Sequence, residues 1–187
     1  MRIVAGRHRG RTLLAPEGDS VRPTSDRARE ALFNIIEHGS FAAGGSRLRD
    51  RRVLDAFAGT GALGLEALSR GAAFATFLEL SAAGRKTLAA NIAALGERAR
   101  AQVLAGDATA PPKAPAPVAV AFLDPPYGKA LGQPAIEALA AAGWFEPGSL
   151  VVLEIGAREE IPVPEGFTLR DARRYGAARL VFLEAPG

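Results

Sequence analysis

The 187-residue sequence has no cysteine, one methionine, one tryptophan and two histidines. Without cysteine it can form neither a disulfide nor a thiolate nucleophile, and zinc sites built on cysteine are excluded. Two histidines are too few for a metal cluster unless carboxylates supply the remaining ligands. We therefore expect no metal in the chemistry of this protein.

Long apolar segments are also lacking. No run reaches the roughly 18 residues that a membrane helix requires, and the first residues lack the apolar core of a secretory signal. With 48% apolar and 23% charged residues, the composition is typical of one compact domain and not of a disordered or fibrous chain. We expect a single domain located in the cytoplasm.

Positive charge is concentrated near the N-terminus. Residues 1–52 contain 11 arginines and six acidic residues, whereas residues 53–187 carry a net charge of −2. Arginine outnumbers lysine 20 to 3, and the guanidinium group is well suited to phosphates and base edges. A GC-rich genome would also favour arginine, so composition alone leaves open whether this segment binds a polyanion.

Apolar periodicity predicts the secondary structure. Residues 2–15 alternate basic with small or apolar residues around Gly6 and Gly10, which predicts a short hairpin. Helical spacing predicts a helix over 25–37, with Thr24 or Ser25 as its N-cap. Beyond it, short apolar runs typical of buried parallel strands alternate with helical stretches. The predicted strands are 53–57, 75–80, 102–105, 118–123, 150–155, 168–173 and 180–184, and the predicted helices are 63–69, 82–95 and 131–142.

This alternation predicts an α/β fold with a doubly wound sheet of about seven strands, mostly parallel and joined by right-handed crossovers. The last two predicted strands are close enough in sequence to form an antiparallel hairpin at one edge. Ligands of open α/β sheets bind at the carboxyl ends of the strands, so residues at those ends are the first candidates for a site.

A glycine-rich turn follows the first predicted strand. Gly59, Gly61 and Gly64 form a G-x-G-x-x-G pattern between strand and helix, where bare backbone can approach a nucleotide-type cofactor. Glu79 closes the next strand, 20 residues after Gly59, and can accept hydrogens from both ribose hydroxyls. Asp107 follows the third strand and could accept from an adenine amino group. These residues alone do not separate a nicotinamide cofactor from S-adenosylmethionine.

The fourth predicted strand ends in Asp124-Pro125-Pro126-Tyr127. Prolines fix the local dihedrals, so the Asp124 carboxylate and the Pro125 carbonyl can be held pointing into a cleft. An exocyclic amine on a base is a poor nucleophile, because its lone pair is delocalised into the ring. Two acceptors that bind its hydrogens favour release of the lone pair toward a methyl donor, and Tyr127 offers a face on which a flipped base can stack.

The sequence resembles the DPPY-type class I methyltransferases, and among them the bacterial 16S rRNA (guanine-N2) methyltransferase family that modifies the guanine conventionally numbered 966. The likeness covers nearly the whole chain. The segment 22–34 is much more specific than 124–127, which adenine, cytosine and glutamine methyltransferases share. Two departures are Ser81, where many relatives have Asp or Asn, and the proline-rich loop 111–117. The motifs that carry the likeness are 2–6 with 9–11, 22–34, 55–71 and 124–127.

The resemblance implies a Rossmann-like methyltransferase that moves the methyl group of S-adenosyl-L-methionine to the N2 amine of guanine 966. Residues 1–187 would form a single domain, in which residues 1–38 are a basic RNA-docking appendage. The expected partner is 16S rRNA, within the small ribosomal subunit or an assembly intermediate. The implied catalytic residues are Asp124, Pro125, Pro126 and Tyr127; the implied cofactor-binding residues are Asp55, Phe57, Ala58, Gly59, Thr60, Gly61, Glu79, Leu80, Asp107 and Ala108; the implied RNA-contact residues are Arg7, Arg9, Arg11, Arg22, Thr24 and Arg27.

Three alternatives remain at this point. A DNA adenine-N6 methyltransferase could use the same Asp-Pro-Pro-Tyr sequence, but no separate DNA target-recognition domain fits in this length. An NAD-dependent oxidoreductase would explain the glycine-rich turn and Glu79 while leaving residues 124–127 without a task. A noncatalytic RNA-binding protein would explain only the basic N-terminal segment.

Overall fold

The strands and helices follow the apolar pattern closely in the computed structural model, which describes residues 1–15, 26–39, 41 and 45–187. The predicted N-cap at Thr24 or Ser25 lies outside the described residues. The helices are α1 (Asp26–His38), α2 (Ala62–Ser69), α3 (Ala82–Ala94) and α4 (Gly132–Ala141). The strands are β1 (Arg52–Ala56), β2 (Phe74–Glu79), β3 (Ala101–Ala105), β4 (Val118–Leu123), β5 (Phe145–Gly156), β6 (Thr168–Tyr175) and β7 (Ala178–Glu184).

The seven strands form one sheet in the order β3-β2-β1-β4-β5-β7-β6. Strands β1 to β5 are parallel neighbours, and β7 pairs antiparallel with both β5 and β6. The predicted mostly parallel α/β sheet and its antiparallel edge hairpin are therefore confirmed. Strand β5 begins earlier than its apolar run predicts, because Phe145 pairs with Val118 before the register shifts.

Alternate residues of each strand enter two separate cores, one on each face of the sheet. In β1, Val53 packs with α1, α2 and α3, whereas Leu54 packs with α4 and the buried Trp144. Since side chains alternate across a strand, near-continuous apolar runs are what a sheet covered on both faces requires. Among the described residues, no helix has both the length and the apolarity needed to cross a membrane.

The N-terminal segment forms a narrow turn that is the short hairpin predicted for residues 2–15, since the N–H groups of Ile3 and Leu13 donate to the carbonyl oxygens of Arg11 and Met1. One antiparallel bridge joins Arg2 to Thr12, and a short 3-10 turn at Gly6–His8 occupies the tip. Ile3 and Leu13 from this turn are buried in the same core as α1, α2 and α3. The segment is therefore packed into the domain through its apolar residues while its arginines face outward.

Helix α2 fixes this turn through a buried carboxylate. Glu66 accepts hydrogen bonds from the backbone N–H groups of Val4 at 2.7 Å and Ala5 at 3.0 Å. Arg70 pairs with the same carboxylate at 2.8 Å, and the buried Arg29 of α1 lies 3.8 Å away. A buried carboxylate needs such partners to offset the cost of leaving water, so the turn, α1 and α2 form one packed unit.

Candidate active site

The residues predicted to share one edge of the sheet come together where four parallel strands end. Ala56 at the end of β1 pairs with Leu78 of β2 and with Leu123 of β4, and Glu79 pairs with Ala105 of β3. The glycine-rich turn, Glu79, Asp107 and the 124–127 loop therefore leave the sheet side by side. This is the edge at which open α/β sheets bind their ligands.

Two glycines of the turn after β1 differ in their surroundings. Gly61 has a φ of +79°, which is strained for a residue with a side chain, and a Cβ atom there would lie 2.3 Å from Leu88 Cδ1, so the buried Leu88 of α3 would have to move. Gly59, with a φ of +52°, has no atom nearer than 4.0 Å to its Cβ position. The backbone at Gly59 is thus open to a ligand. Phe57 shares the left-handed conformation with a φ of 61°, which is uncommon for a residue with a side chain.

The buried side chain of Asp55 stabilises the glycine-rich turn through a hydrogen bond. Its Oδ2 accepts a hydrogen bond from the Gly64 N–H at 2.8 Å, which ties the end of β1 to the first turn of α2. Burial raises the pKa of Asp55 well above the usual carboxyl range, and the nearby carboxylates of Asp124 and Glu79 raise it further. In the structure Asp55 therefore stabilises the loop between β1 and α2. A direct contact between Asp55 and a cofactor stays a prediction.

Glu79 joins the turn after β1 to the start of α3. Its Oε2 accepts from the Gly59 N–H and its Oε1 from the Ser81 N–H, both at 2.7 Å. A carboxylate oxygen can accept more than one hydrogen bond, so both oxygens can still receive a hydroxyl hydrogen. Leu80 beside it is 67% exposed, which is unusual for a leucine and leaves an apolar surface next to the carboxylate.

Ser81 explains one departure from the family pattern. It is the N-cap of α3, and its hydroxyl oxygen accepts from the Gly84 N–H at 3.3 Å. Serine, aspartate and asparagine are all preferred at this position, because each offers a side-chain oxygen to the first turn of a helix. The departure therefore keeps the capping function.

Asp107 lies at the end of β3 with an ordered carboxylate. Its Oδ1 accepts from the backbone N–H and from the hydroxyl of Thr109, both at 2.8 Å. These two hydrogen bonds lower the pKa of Asp107 against a small opposing effect of burial. The group is ionised at neutral pH and is a hydrogen-bond acceptor. Ala108 after it is buried in the core on the α4 face, so its backbone alone is available at this edge.

The 124–127 loop carries the second half of the site. Pro125 is buried, whereas Pro126 is exposed and Tyr127 is 41% exposed. The Tyr127 hydroxyl donates to Glu154 Oε1 at 2.5 Å, and the Gly128 N–H donates to Glu159 Oε1 at 2.9 Å. The loop is thus held by hydrogen bonds to Glu154 of β5 and to Glu159, which follows β5.

Sequence reasoning did not identify Glu154 or Glu159. Glu154 lies among eight consecutive buried residues of β5 and is itself only 5% exposed. An acidic residue inside an apolar strand is a signal in its own right, because a buried carboxylate must have a partner. That signal was available from the sequence, although the identity of the partner was not.

The arginines predicted to contact RNA fall into two groups. Arg7 pairs with the buried Glu97 at 3.2 Å, and Arg11 donates to the Ala94 carbonyl at 2.8 Å, so both reach the end of α3. Arg9 and Arg27 line a cleft of about 410 Å³ between the N-terminal turn and α1, and Arg2, Asp26 and Glu30 also border it. Arg22 and Thr24 lie outside the described residues.

Comparisons with known proteins agree with this arrangement. Residues 1–184 match the family described as Conserved hypothetical protein 95. Ribosomal RNA small subunit methyltransferase D of Escherichia coli K12 is 37% identical over 191 residues, which cover 100% of this chain and 92% of that protein. The solved structure of yhhF from Escherichia coli has a TM-score of 0.83 and 35% identity, with coverage of 100% and 98%.

A more distant solved structure shares the fold alone. It is an RNA methyltransferase from Salinibacter ruber in complex with S-adenosyl-L-homocysteine. Its TM-score is 0.65 at 14% identity, with 88% of this chain and 94% of that chain covered. Its bound ligand is the product that a methyl transfer leaves from S-adenosylmethionine.

Proposed function

Because the chain belongs to the Conserved hypothetical protein 95 family, we propose that it transfers the methyl group of S-adenosyl-L-methionine to the exocyclic N2 amine of guanine 966 in 16S rRNA. It is an S-adenosylmethionine-dependent methyltransferase with the Rossmann-like class I fold. The observation that carries the proposal is the juxtaposition of the Asp124–Tyr127 loop with Glu79 and the open backbone at Gly59. The alternatives of a DNA adenine methyltransferase and an NAD-dependent oxidoreductase receive no support from the relatives.

The residues present fit S-adenosylmethionine. Glu79 presents carboxylate oxygens to a ribose diol, Leu80 presents an exposed apolar surface to an adenine ring, and Asp107 is an ionised acceptor for its amino group. Phe57, Ala58, Thr60 and Ala108 contribute backbone around them. When bound, S-adenosylmethionine supplies an electrophilic methyl group. Carbon attached to a positive sulfur needs no metal or covalent enzyme intermediate to react with an amine.

The 124–127 loop prepares the guanine. The Asp124 carboxylate and the Pro125 carbonyl oxygen accept the two hydrogens of the N2 amine, which favours a pyramidal nitrogen with its lone pair directed at the methyl donor. The negative charge of Asp124 also stabilises the nitrogen as it becomes positive, and the surplus proton passes afterwards to water. Positioning and electrostatic stabilisation of this kind are sufficient for catalysis, since no strong base is needed during the attack.

The substrate is 16S rRNA held in the small ribosomal subunit or an assembly intermediate, and the enzyme acts in the cytoplasm. Residues 1–38 dock this RNA through Arg7, Arg9, Arg11, Arg22, Thr24 and Arg27, as part of the single domain formed by residues 1–187. The support is the cleft lined by Arg9 and Arg27 and the outward-facing arginines of the N-terminal turn. Guanidinium groups are well matched to RNA phosphates.

The test is to incubate the protein and labelled S-adenosylmethionine with 16S rRNA and with small subunits that lack the modification, and to map the labelled nucleotide. We expect label at N2 of one guanine and none in DNA. RNA with inosine at the mapped position, which lacks only the N2 amine, is the matched control and should stay unlabelled. Label on another atom or another base would contradict the proposal.

A further inference from the structure

Glu154 is an acidic residue within the buried part of β5, and its place in the sheet puts it beside the catalytic loop. The register pairs Leu123 of β4 with Leu153 of β5, so Asp124 and Glu154 are the next residues along two neighbouring parallel strands. Asp124 follows the end of β4 at the carboxyl edge, whereas Glu154 is still within β5 and pairs with Leu180 of β7. A role for Glu154 in catalysis rests on the proposed function of this edge.

The contact between Glu154 and Tyr127 joins a buried group to an exposed one. Glu154 is 5% exposed, Tyr127 is 41% exposed, and the Tyr127 hydroxyl donates to Glu154 Oε1 at 2.5 Å. A hydrogen bond to an ionised acceptor is shorter and stronger than one between neutral groups. It anchors the far end of the ring, while the exposed part of the ring remains available for stacking.

The surroundings of the Tyr127 hydroxyl keep it a donor. Burial raises the pKa of Tyr127, as do the hydrogen bond and charge of Glu154, and the carboxylates of Asp124 and Glu159 add to the effect. The hydroxyl therefore stays protonated at every pH at which the protein would work. The second tether, from the Gly128 N–H to Glu159, fixes the backbone of the same loop.

We propose that Glu154 is a positioning residue for methyl transfer. By accepting the Tyr127 hydroxyl hydrogen, it holds the tyrosine ring in the orientation on which the flipped guanine stacks, with the N2 amine turned toward Asp124. Stacking itself needs only an aromatic ring. A phenylalanine would keep the stacking surface and lose the orientation, so the hydroxyl has a function that stacking alone does not require.

The first experiment compares Tyr127→Phe, Glu154→Gln, Glu154→Ala and the double variant Tyr127→Phe/Glu154→Ala by single-turnover methylation. Loss of a charge-assisted hydrogen bond predicts a roughly 10- to 100-fold lower rate for Tyr127→Phe at saturating RNA. Glu154→Gln should retain more activity than Glu154→Ala, because its amide oxygen can still accept. Affinity for S-adenosylmethionine should remain normal in all four, and Glu137→Ala on the exposed face of α4 is the control.

The double variant distinguishes an effect of Glu154 through the Tyr127 hydroxyl from a direct contact between Glu154 and the guanine. If Glu154 acts through the Tyr127 hydroxyl, the double variant should be no slower than the slower single variant, within about twofold, since the two changes break one interaction. Losses that multiply would mean that Glu154 contacts the guanine directly and would overturn the inference. Wild-type activity in folded Tyr127→Phe would overturn it as well. If Glu154→Ala fails to fold, the same comparison is made with Tyr127→Phe/Glu154→Gln.

A measurement without substrate keeps this inference distinct from the proposed function. Hydrogen exchange in the free protein should be faster at residues 127–129 in Glu154→Gln and Tyr127→Phe than in the wild type, and unchanged in Glu137→Ala. If the wild type methylates no rRNA guanine, the proposed function fails, and the exchange result still decides whether Glu154 positions the loop. If exchange is unchanged in both variants, the inference fails even in an active enzyme.

Discussion

The side-chain amide of Asn91 donates a hydrogen bond to the Thr60 carbonyl oxygen at 2.9 Å, inside the glycine-rich turn. The same amide nitrogen donates to the Leu14 carbonyl oxygen at 3.1 Å, and the Asn91 Oδ1 accepts from the Leu14 N–H at 2.8 Å. One buried side chain of α3 thus joins the glycine-rich turn to the N-terminal segment. We therefore expect a substitution that disturbs the glycine-rich turn to affect the N-terminal segment at Leu14, and the reverse.

Replacing Asn91 with alanine should loosen both ends. Three hydrogen bonds to the backbone of Leu14 and Thr60 are lost, so we expect the free energy of unfolding to fall by about 1 to 3 kcal/mol. Amide exchange at Leu14 should become faster, because its N–H loses its acceptor, and calorimetry should show weaker binding of S-adenosylmethionine. Gln133→Ala removes an exposed amide of α4 and is the control. Unchanged exchange at Leu14 would contradict the proposed connection.

Replacing Glu79 with alanine should weaken S-adenosylmethionine binding by about 1.5 to 3 kcal/mol, the usual cost of losing a charge-assisted hydrogen bond. The loss has two sources, since Glu79 also accepts from the Gly59 and Ser81 N–H groups that shape the site. Glu79→Gln keeps one acceptor oxygen and should lose less. Calorimetry measures both, and wild-type affinity in folded Glu79→Ala would remove this carboxylate from the cofactor site.

Replacing Asp124 with alanine should lower kcat at least about 100-fold and leave S-adenosylmethionine affinity near normal, the pattern of an interaction made chiefly in the transition state. Asp124→Asn retains an acceptor oxygen without the charge and should lie between alanine and the wild type. Single-turnover methylation gives the rates and calorimetry gives the affinities. An active Asp124→Ala enzyme would refute the mechanism.

Arginines of the N-terminal turn should differ in their effect on RNA binding. Within the described part of the chain, Arg9 has no ion-pair partner, whereas Arg7 is paired with Glu97. We expect Arg9→Ala to reduce the slope of log K against log salt by up to about 0.7 to 0.9 for a lost phosphate contact, and Arg7→Ala to reduce it less. Arg174→Ala, on the edge strand β6 at the end of the sheet away from β3, is the control. Equal slopes for Arg9→Ala and the control would show that Arg9 contacts no phosphate.

The pH dependence of stability should carry a contribution from Asp55. Burial raises its pKa in the folded state, so the folded protein binds this proton more tightly than the unfolded chain. Its stabilising contribution is complete at acidic pH and is lost as pH rises through the raised pKa. Asp55→Asn keeps an acceptor for the Gly64 N–H without the titration. Denaturant unfolding at several pH values should show a free-energy difference in favour of Asn that grows with pH, and a constant difference would contradict this.

Local sequence patterns were sufficient to predict the sheet and the residues at its carboxyl edge. Apolar runs of strand length, separated by helical stretches, predicted the seven strands that the described residues form. Gly59 and Glu79, 20 positions apart, were correctly predicted to lie at the ends of two neighbouring strands. These predictions succeed because each depends on residues close together in sequence. Strand alternation and the parallel α/β arrangement then bring the ends to one edge.

Contacts set by tertiary packing could not be predicted in the same way. The bond from Tyr127 to Glu154 depends on the register of β4 against β5, and the bond from Val4 to Glu66 joins residues 62 positions apart. The short N-terminal hairpin was predicted from local alternation, whereas the burial of Ile3 and Leu13 in the core and the hydrogen bonds from this hairpin to Glu66 were not. No local pattern reports such long-range partners.

The carboxylate of Glu66 recognises the main chain of Val4 and Ala5 and not their side chains. Almost any residue other than proline supplies the same N–H groups, so this anchorage places little restriction on which residues occupy positions 4 and 5. Gly6 is different, because a Cβ atom there would lie 1.9 Å from the Ser69 carbonyl oxygen. In a saturation library, positions 4 and 5 should therefore tolerate wide substitution, whereas positions 6 and 66 should accept almost none.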